Sequence, residues 1–268
     1  MATTKREKIS WGRGFLKFYV IVAFAFLFLP IVVIIIFSFN SGRYPSFPLQ
    51  NFTLKWYSEL MLDSRLLNSV KNSIIVSSIV SLISTILGFM GAYALRSYKL
   101  KRENLFLGFM AAPLTVPTLL LGLALLIFLN HILTLQNSLL SVIISYTVFC
   151  APFAMFIIRA RLASIHATLE EAAWDLGAGR WQTVRELILP LSTPGLIAAM
   201  LLTFTLSFDE FIIAWFVSGF QPTLPVKIWA MMRGGIKPTI NAIGAIVFIF
   251  SMSVLFIGEY FLGKKSNG

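Results

Sequence analysis

Cysteine is nearly missing from this chain, histidine is rare, and charge is thin throughout. One cysteine, Cys150, cannot form an intramolecular disulfide. With only His131 and His166 beside it, no spacing of soft ligands suggests a metal cluster; all three read as packing or surface residues. Charged residues make up 12% of the 268 while hydrophobic ones make up 57%, and the mean hydropathy is +0.84, which excludes an ordinary soluble domain. A nucleotide-binding signature is also missing. Gly258-Glu-Tyr-Phe-Leu-Gly263-Lys264-Lys265 has the glycine and lysine spacing of a phosphate loop, but Lys265 stands where a Ser or Thr must hold magnesium, and the stretch ends an apolar run instead of following a strand. It is read as a chance match. No catalytic residue is assigned, and with no other nucleotide-binding signature, energy for any active transport would have to come from another chain or from an ion gradient.

What the chain has is apolar length. Crossing a bilayer takes roughly 20 apolar residues, and six runs meet that: Leu16–Phe39, Ser69–Leu95, Asn104–Asn130, Leu139–Ile158, Leu187–Val217 and Asn241–Leu262. The fold class expected is an all-α polytopic membrane protein of six transmembrane helices, forming one domain over residues 1–268. Lys5, Arg6, Lys8, Arg13 and Lys17 precede the first run, but no small-residue cleavage site follows it, so it is read as an uncleaved span. Alternating the sides of six spans puts fifteen Lys and Arg on one face and seven on the other, which predicts cytoplasmic N and C termini. The formal charge of +11 is thereby explained mostly as topology bias, without nucleic acid as a partner. The first outer loop carries TLKWYSELMLDSRLL, where Trp56, Leu60 and Leu67 are spaced for one helical face at the headgroup level or against an external partner.

Between the fourth and fifth runs, residues 159–186 are read as a cytoplasmic coupling loop, and His166–Pro190 is a polar island in the apolar chain. Thr168 with Glu171 three residues later has the spacing of a capping box, and Glu170 and Glu171 put negative charge on the positive end of the new helix. Gly177 falls where a left-handed residue ends two turns, Arg180–Leu189 is read as a second short helix, and Pro190 opens the next span. The expectation is a stiff helix–turn–helix elbow outside the bilayer, suited to being pushed by a partner.

A second charged spot lies in LTFTLSFDEFIIAWFVSG. Asp209 and Glu210 either line a path through the membrane or sit solvated at the outer interface, with the span bent or broken near Asp209. If they line a path, two carboxylates beside Phe208, Phe211 and Trp215 favour a cation. Gly88, Gly91, Gly122 and Gly195 read as close helix packing, and Pro113 and Pro117 as a kink or cavity in the third span.

Glu171-Ala172-Ala173, three residues, Gly177, nine residues and Leu187-Ile188-Leu189-Pro190 together resemble the cytoplasmic loop motif of ABC importer permeases; that motif has Ile where this chain has Leu187. FLFLPIVVIIIFSFNSGRY, FTLKWYSELM, YTVFCAPFAMFIIRARL and FTLSFDEFIIAWFVSG extend the resemblance over nearly the whole chain, toward the permeases of bacterial spermidine/putrescine importers and the second of the two permeases in such systems. The resemblance implies a type I importer of the bacterial inner membrane. Its other parts would be a second homologous permease, two ATP-binding subunits that hold ATP and magnesium, and a periplasmic substrate-binding protein, with no cofactor on this chain. It implies that Glu170, Glu171, Ala172, Ala173, Asp175, Gly177 and Pro190 belong to the segment coupled to the ATPase, and that the cargo is a polyamine. Family patterns often carry two Asp where this chain has Asp209-Glu210, so an opine, another amine-bearing metabolite or ferric iron stays open as cargo. An ion-gradient carrier would call for internal repeats or dispersed intramembrane charges. A scaffold without transport would leave Asp209-Glu210 without a role.

Overall fold

A computed structural model describes residues 3–42, 46–98, 102–235 and 237–266, with side chains from Gly14 to Val254 within those ranges and at Phe256 and Gly258. Arg43, Lys99 and Lys101 of the orientation count lie outside the described residues, as do the side chains of Lys5, Arg6, Lys8, Arg13, Lys264 and Lys265. Among the described residues the regular structure is helical: α1 (Thr3–Ser38), α2 (Lys55–Leu62), α3 (Ser64–Ser97), α4 (Glu103–Thr115), α5 (Thr118–Ile127), α6 (Leu139–Ala163), α7 (Thr168–Asp175), α8 (Arg180–Thr183), α9 (Leu189–Asp209), α10 (Ile212–Val217), α11 (Leu224–Arg233) and α12 (Thr239–Ser266). Four helices are long and apolar enough to cross a membrane: Gly14–Ser38 within α1, α3, α6, and the continuous helix Arg180–Asp209. The phosphate-loop lookalike Gly258–Lys265 lies within α12, as expected of a chance match.

The chain forms two compact units. One comprises the residues up to Asp63 with Met231–Phe250; the other is Ser64–Ala230 with the residues from Ser251 on. In the first, only 6% of the apolar stretch of α1 is buried, so that helix needs an apolar solvent around it. After α1 the chain turns through local polar bonds: Trp56 Nε1 donates to the Asn40 carbonyl at 2.7 Å, and the Ser38 and Tyr57 hydroxyls bond at 2.6 Å. The expected single face through Trp56, Leu60 and Leu67 does not form. The helix breaks at Asp63, leaving Leu60 buried on α2 and Leu67 exposed on α3.

In the second unit α3, α6 and α9 pack on one another. Small residues let them approach. Ser69, Ser73, Ser77, Ser81, Ser84, Gly88 and Ala92 repeat every three or four positions along the buried face of α3. A Cβ on Gly88 would stand 2.7 Å from the Met155 amide nitrogen and 2.8 Å from Ala154 Cβ, both on α6. Lacking a hydrophobic drive between helices in lipid, this contact relies on van der Waals fit.

The third expected span is more than kinked. α4 and α5 meet at 99°, because Val116 precedes Pro117 and is held in extended backbone, with ψ 131°. The fifth is also different in extent. Its helix begins at Arg180, well before Leu187: α8 runs through a π turn into α9, so the expected second short helix and the span are one helix. Val184–Ile188 form a π turn, in which Leu189 N bonds to the Val184 carbonyl, and the helix runs on through Pro190. The wider turn accommodates a residue without an N–H. The break near Asp209 is where it was expected: α9 stops there, Glu210 is extended, and α10 starts at Ile212.

Candidate functional site

The island between α6 and the Arg180–Asp209 helix folds as an elbow, with α7 as its outer limb. The expected capping box is not made. Ala167 takes the cap position, its carbonyl accepting from Glu170 N at 3.0 Å and Glu171 N at 3.3 Å, and no side chain caps the helix. The helix starts one residue early: with Ala167 at the cap, Thr168 is its first helical residue and its hydroxyl is past the cap position. Glu170 turns inward, 7% exposed, and its Oε1 accepts from Arg96 Nε at 2.7 Å. The other end of α7 follows local expectation. Gly177 has φ +88°, its N–H bonds to the Trp174 carbonyl and Ala178 N–H bonds to the Ala173 carbonyl, both at 2.9 Å. This pair of bonds is a Schellman closure, in which the left-handed residue is glycine because it has no Cβ to collide with the carbonyl.

The elbow therefore sorts its predicted residues into two sets. Glu171, Ala172 and Asp175 are exposed, Ala173 is half-buried, and Pro190 is exposed further along the next helix. Glu170 faces the interior. Around the exposed acids stand apolar side chains that water does not favour: Leu169, Trp174, Leu176 and Trp181, with Leu176 90% and Trp181 73% exposed. A patch of that kind rimmed by charge is the composition of a protein interface. A cavity of about 550 Å³ opens beside it, lined by Tyr93, Arg96, Glu171, Trp174 and Trp181 among others.

The second predicted group sits at the opposite end of the same helix. Arg180–Asp209 has 30 residues, which at 1.5 Å each makes about 45 Å. Asp209 is exposed at the last turn. Glu210 is half-buried in the break; its Oε1 accepts from Ile213 N at 2.9 Å, and its carbonyl accepts from the Tyr146 hydroxyl at 2.5 Å. This carboxylate thus stabilises the start of α10 as well as carrying charge. Phe208, expected beside the acids, is buried and stacks on Phe204 at 5.9 Å instead. Trp215 is exposed and meets Phe211 at 5.7 Å, while Phe211 meets Trp229 of α11 at 5.4 Å. Sequence alone leaves Trp229 in the outer loop between the fifth and sixth runs, where α11 forms. Its one signal was the apolar spacing of LPVKIWAMM.

Comparisons with known proteins agree with this architecture. The chain is 32% identical to the spermidine/putrescine transport system permease protein PotC of Escherichia coli (strain K12), over 86% of this chain and 87% of that one. It is 31% identical to the putrescine transport system permease protein PotI of the same strain, over 92% and 90%. Among solved structures, a chain of a bacterial ABC transporter involved in the import of the acidic polysaccharide alginate superposes with a TM-score of 0.69 at 19% identity, covering 97% of each chain. Residues 84–266, which hold the elbow, the 45 Å helix and the broken end at Asp209, match one family over their whole length, and the chain belongs to it: the binding-protein-dependent transport system inner membrane components.

Proposed function

We propose that this chain is one of two permeases of an ATP-driven importer that moves a polyamine such as spermidine or putrescine across the bacterial inner membrane. The observation that carries the reading is the elbow. A closed two-turn helix exposes Glu171, Asp175 and a Trp/Leu patch, and it is joined through the short turn 176–179 to one continuous helix ending at Asp209. Such a part can be pushed at one end and move charged groups at the other. The push comes from a separate ATPase subunit that binds ATP and magnesium and docks on the elbow, in the cytoplasm with both termini; a periplasmic binding protein delivers the cargo at the Asp209 end. The polyamine assignment draws on the likeness to PotC and PotI. It is also chemically suited to the site, where Asp209 and Glu210 offer carboxylates and Phe211, Trp215 and Trp229 offer aromatic faces.

The test is labelled spermidine uptake by cells expressing the whole operon with and without this chain. Unlabelled putrescine, a neutral sugar and an anionic phosphonate serve as competitors. Chain-dependent uptake competed by putrescine alone is expected. An assembled complex without chain-dependent uptake would overturn the polyamine assignment and send the search to opines, other amines and ferric iron.

A further inference from the structure

Arg96 stands in the last turn of α3 and touches two other elements at once. Its Nε donates to Glu170 Oε1 on α7 at 2.7 Å, Nη2 lies 2.7 Å from the same oxygen, and Nη1 donates to the Leu162 carbonyl in the last turn of α6. The side chains of the pair are only 17% and 10% exposed. Two other ion pairs are more open: Arg159–Glu103 at 42% and 39%, and Lys55–Glu59 at 66% and 43%. Exposed pairs are screened and hold little, whereas a buried one removed on one side leaves an uncompensated charge.

α7 is tied to the chain on either side by non-helical backbone: residues 164–167 before it, and the turn through Gly177 and Gly179 after it. Load on α7 passes along the chain to the Arg180–Asp209 helix through that turn. No such covalent route leads to α3. We propose that Arg96 supplies it: the largely buried Arg96–Glu170 pair is the link that carries displacement of the elbow into α3. A guanidinium suits this duty, because its planar fork holds two acceptors in fixed directions where an ammonium on a flexible stem would yield. Arg96 is thus a positioning residue, which touches no cargo. The proposal rests on the reading of the elbow as the ATPase contact.

The assembled complex of both permeases and the ATPase subunits, in lipid and in a Cys150→Ser background, carries nitroxides at Met90 on α3 and Leu119 on α5, both exposed positions. Pulsed EPR reads the distance between them without nucleotide and with ATP and vanadate. With Arg96 and Glu170 native, the distance shifts. In Arg96→Gln and Glu170→Gln, with ATPase subunits co-purifying and hydrolysing ATP, the shift falls to less than half, and Arg96→Lys recovers part of it. A full shift in both Gln variants overturns the link. Should Arg96→Gln fail to assemble, Glu170→Gln alone decides, since it removes charge at nearly constant volume. A native complex without bound ATPase overturns the elbow reading and the link with it, which distinguishes that failure from a failure of Arg96 alone.

Discussion

Single residues fix both ends of this molecule. Gly177 holds φ +88° in open space, with nothing within 4 Å of where a Cβ would stand, so substitution there costs backbone strain alone. A left-handed residue with a Cβ costs about 1–2 kcal/mol, and Asn tolerates the region best. Gly177→Val is therefore expected to loosen the Schellman turn more than Gly177→Asn, and the order appears as the amount of ATPase subunit co-purifying: native above Asn, Asn above Val. At the other end, Asp209 and Glu210 separate by a pair of substitutions. Glu210→Gln keeps an oxygen that can accept from Ile213 N, whereas Glu210→Ala removes it, at a cost of about 1 kcal/mol for the lost cap. Asp209→Asn and Glu210→Gln are expected to lower spermidine uptake about tenfold or more, since a hydrogen bond to a charged group contributes about 1.5–3 kcal/mol. Assembly stays intact. Unchanged uptake in both would make the two carboxylates interfacial groups. Gly177 and the two acids were legible in the sequence because their signals are local. The failure of the capping box was not, because the helix starts at Thr168 with Ala167 as its cap; nor was the Arg96–Glu170 pair, whose partners lie 74 residues apart and leave no local pattern.

Among elements, α3 packs closely on α6, and Gly88 is a point of close approach. Any Cβ there meets backbone, not the tip of a flexible side chain. Gly88→Val is expected to destabilise by about 1–3 kcal/mol as an overpacked contact, seen as a lower thermal transition of the purified protein in detergent. Gly14→Val, in open space, should leave that transition unchanged. The glycines of α3 could be read in the sequence as close-approach positions. The partners they approach could not, since Ala154 and Met155 lie far along the chain. Pro117 likewise announced a disturbance of the third span, but the size of the bend depends on Val116 being extended as well. The apparent second short helix of the elbow was misread for an opposite reason. Pro190 suggested a boundary, and the π turn at Val184–Ile188 carries the helix past it.

For the molecule as a whole, the proposed function is that of a lever. In it, ATP-driven motion would enter at the exposed elbow, pass along the Arg180–Asp209 helix and through Arg96 into α3, and act at the broken end where Asp209 and Glu210 stand. Glu171→Lys tests the entry point by reversing charge on the exposed limb, and should reduce ATPase co-purification while leaving this chain folded. The most direct measurement places a photo-reactive amino acid at Trp174, on the exposed face of α7, and in a second variant at Asp209, in membranes expressing the whole operon. An ATPase adduct is expected from position 174 and none from position 209. An adduct from 209, or none from 174 in a complex that still transports, would contradict the proposed function.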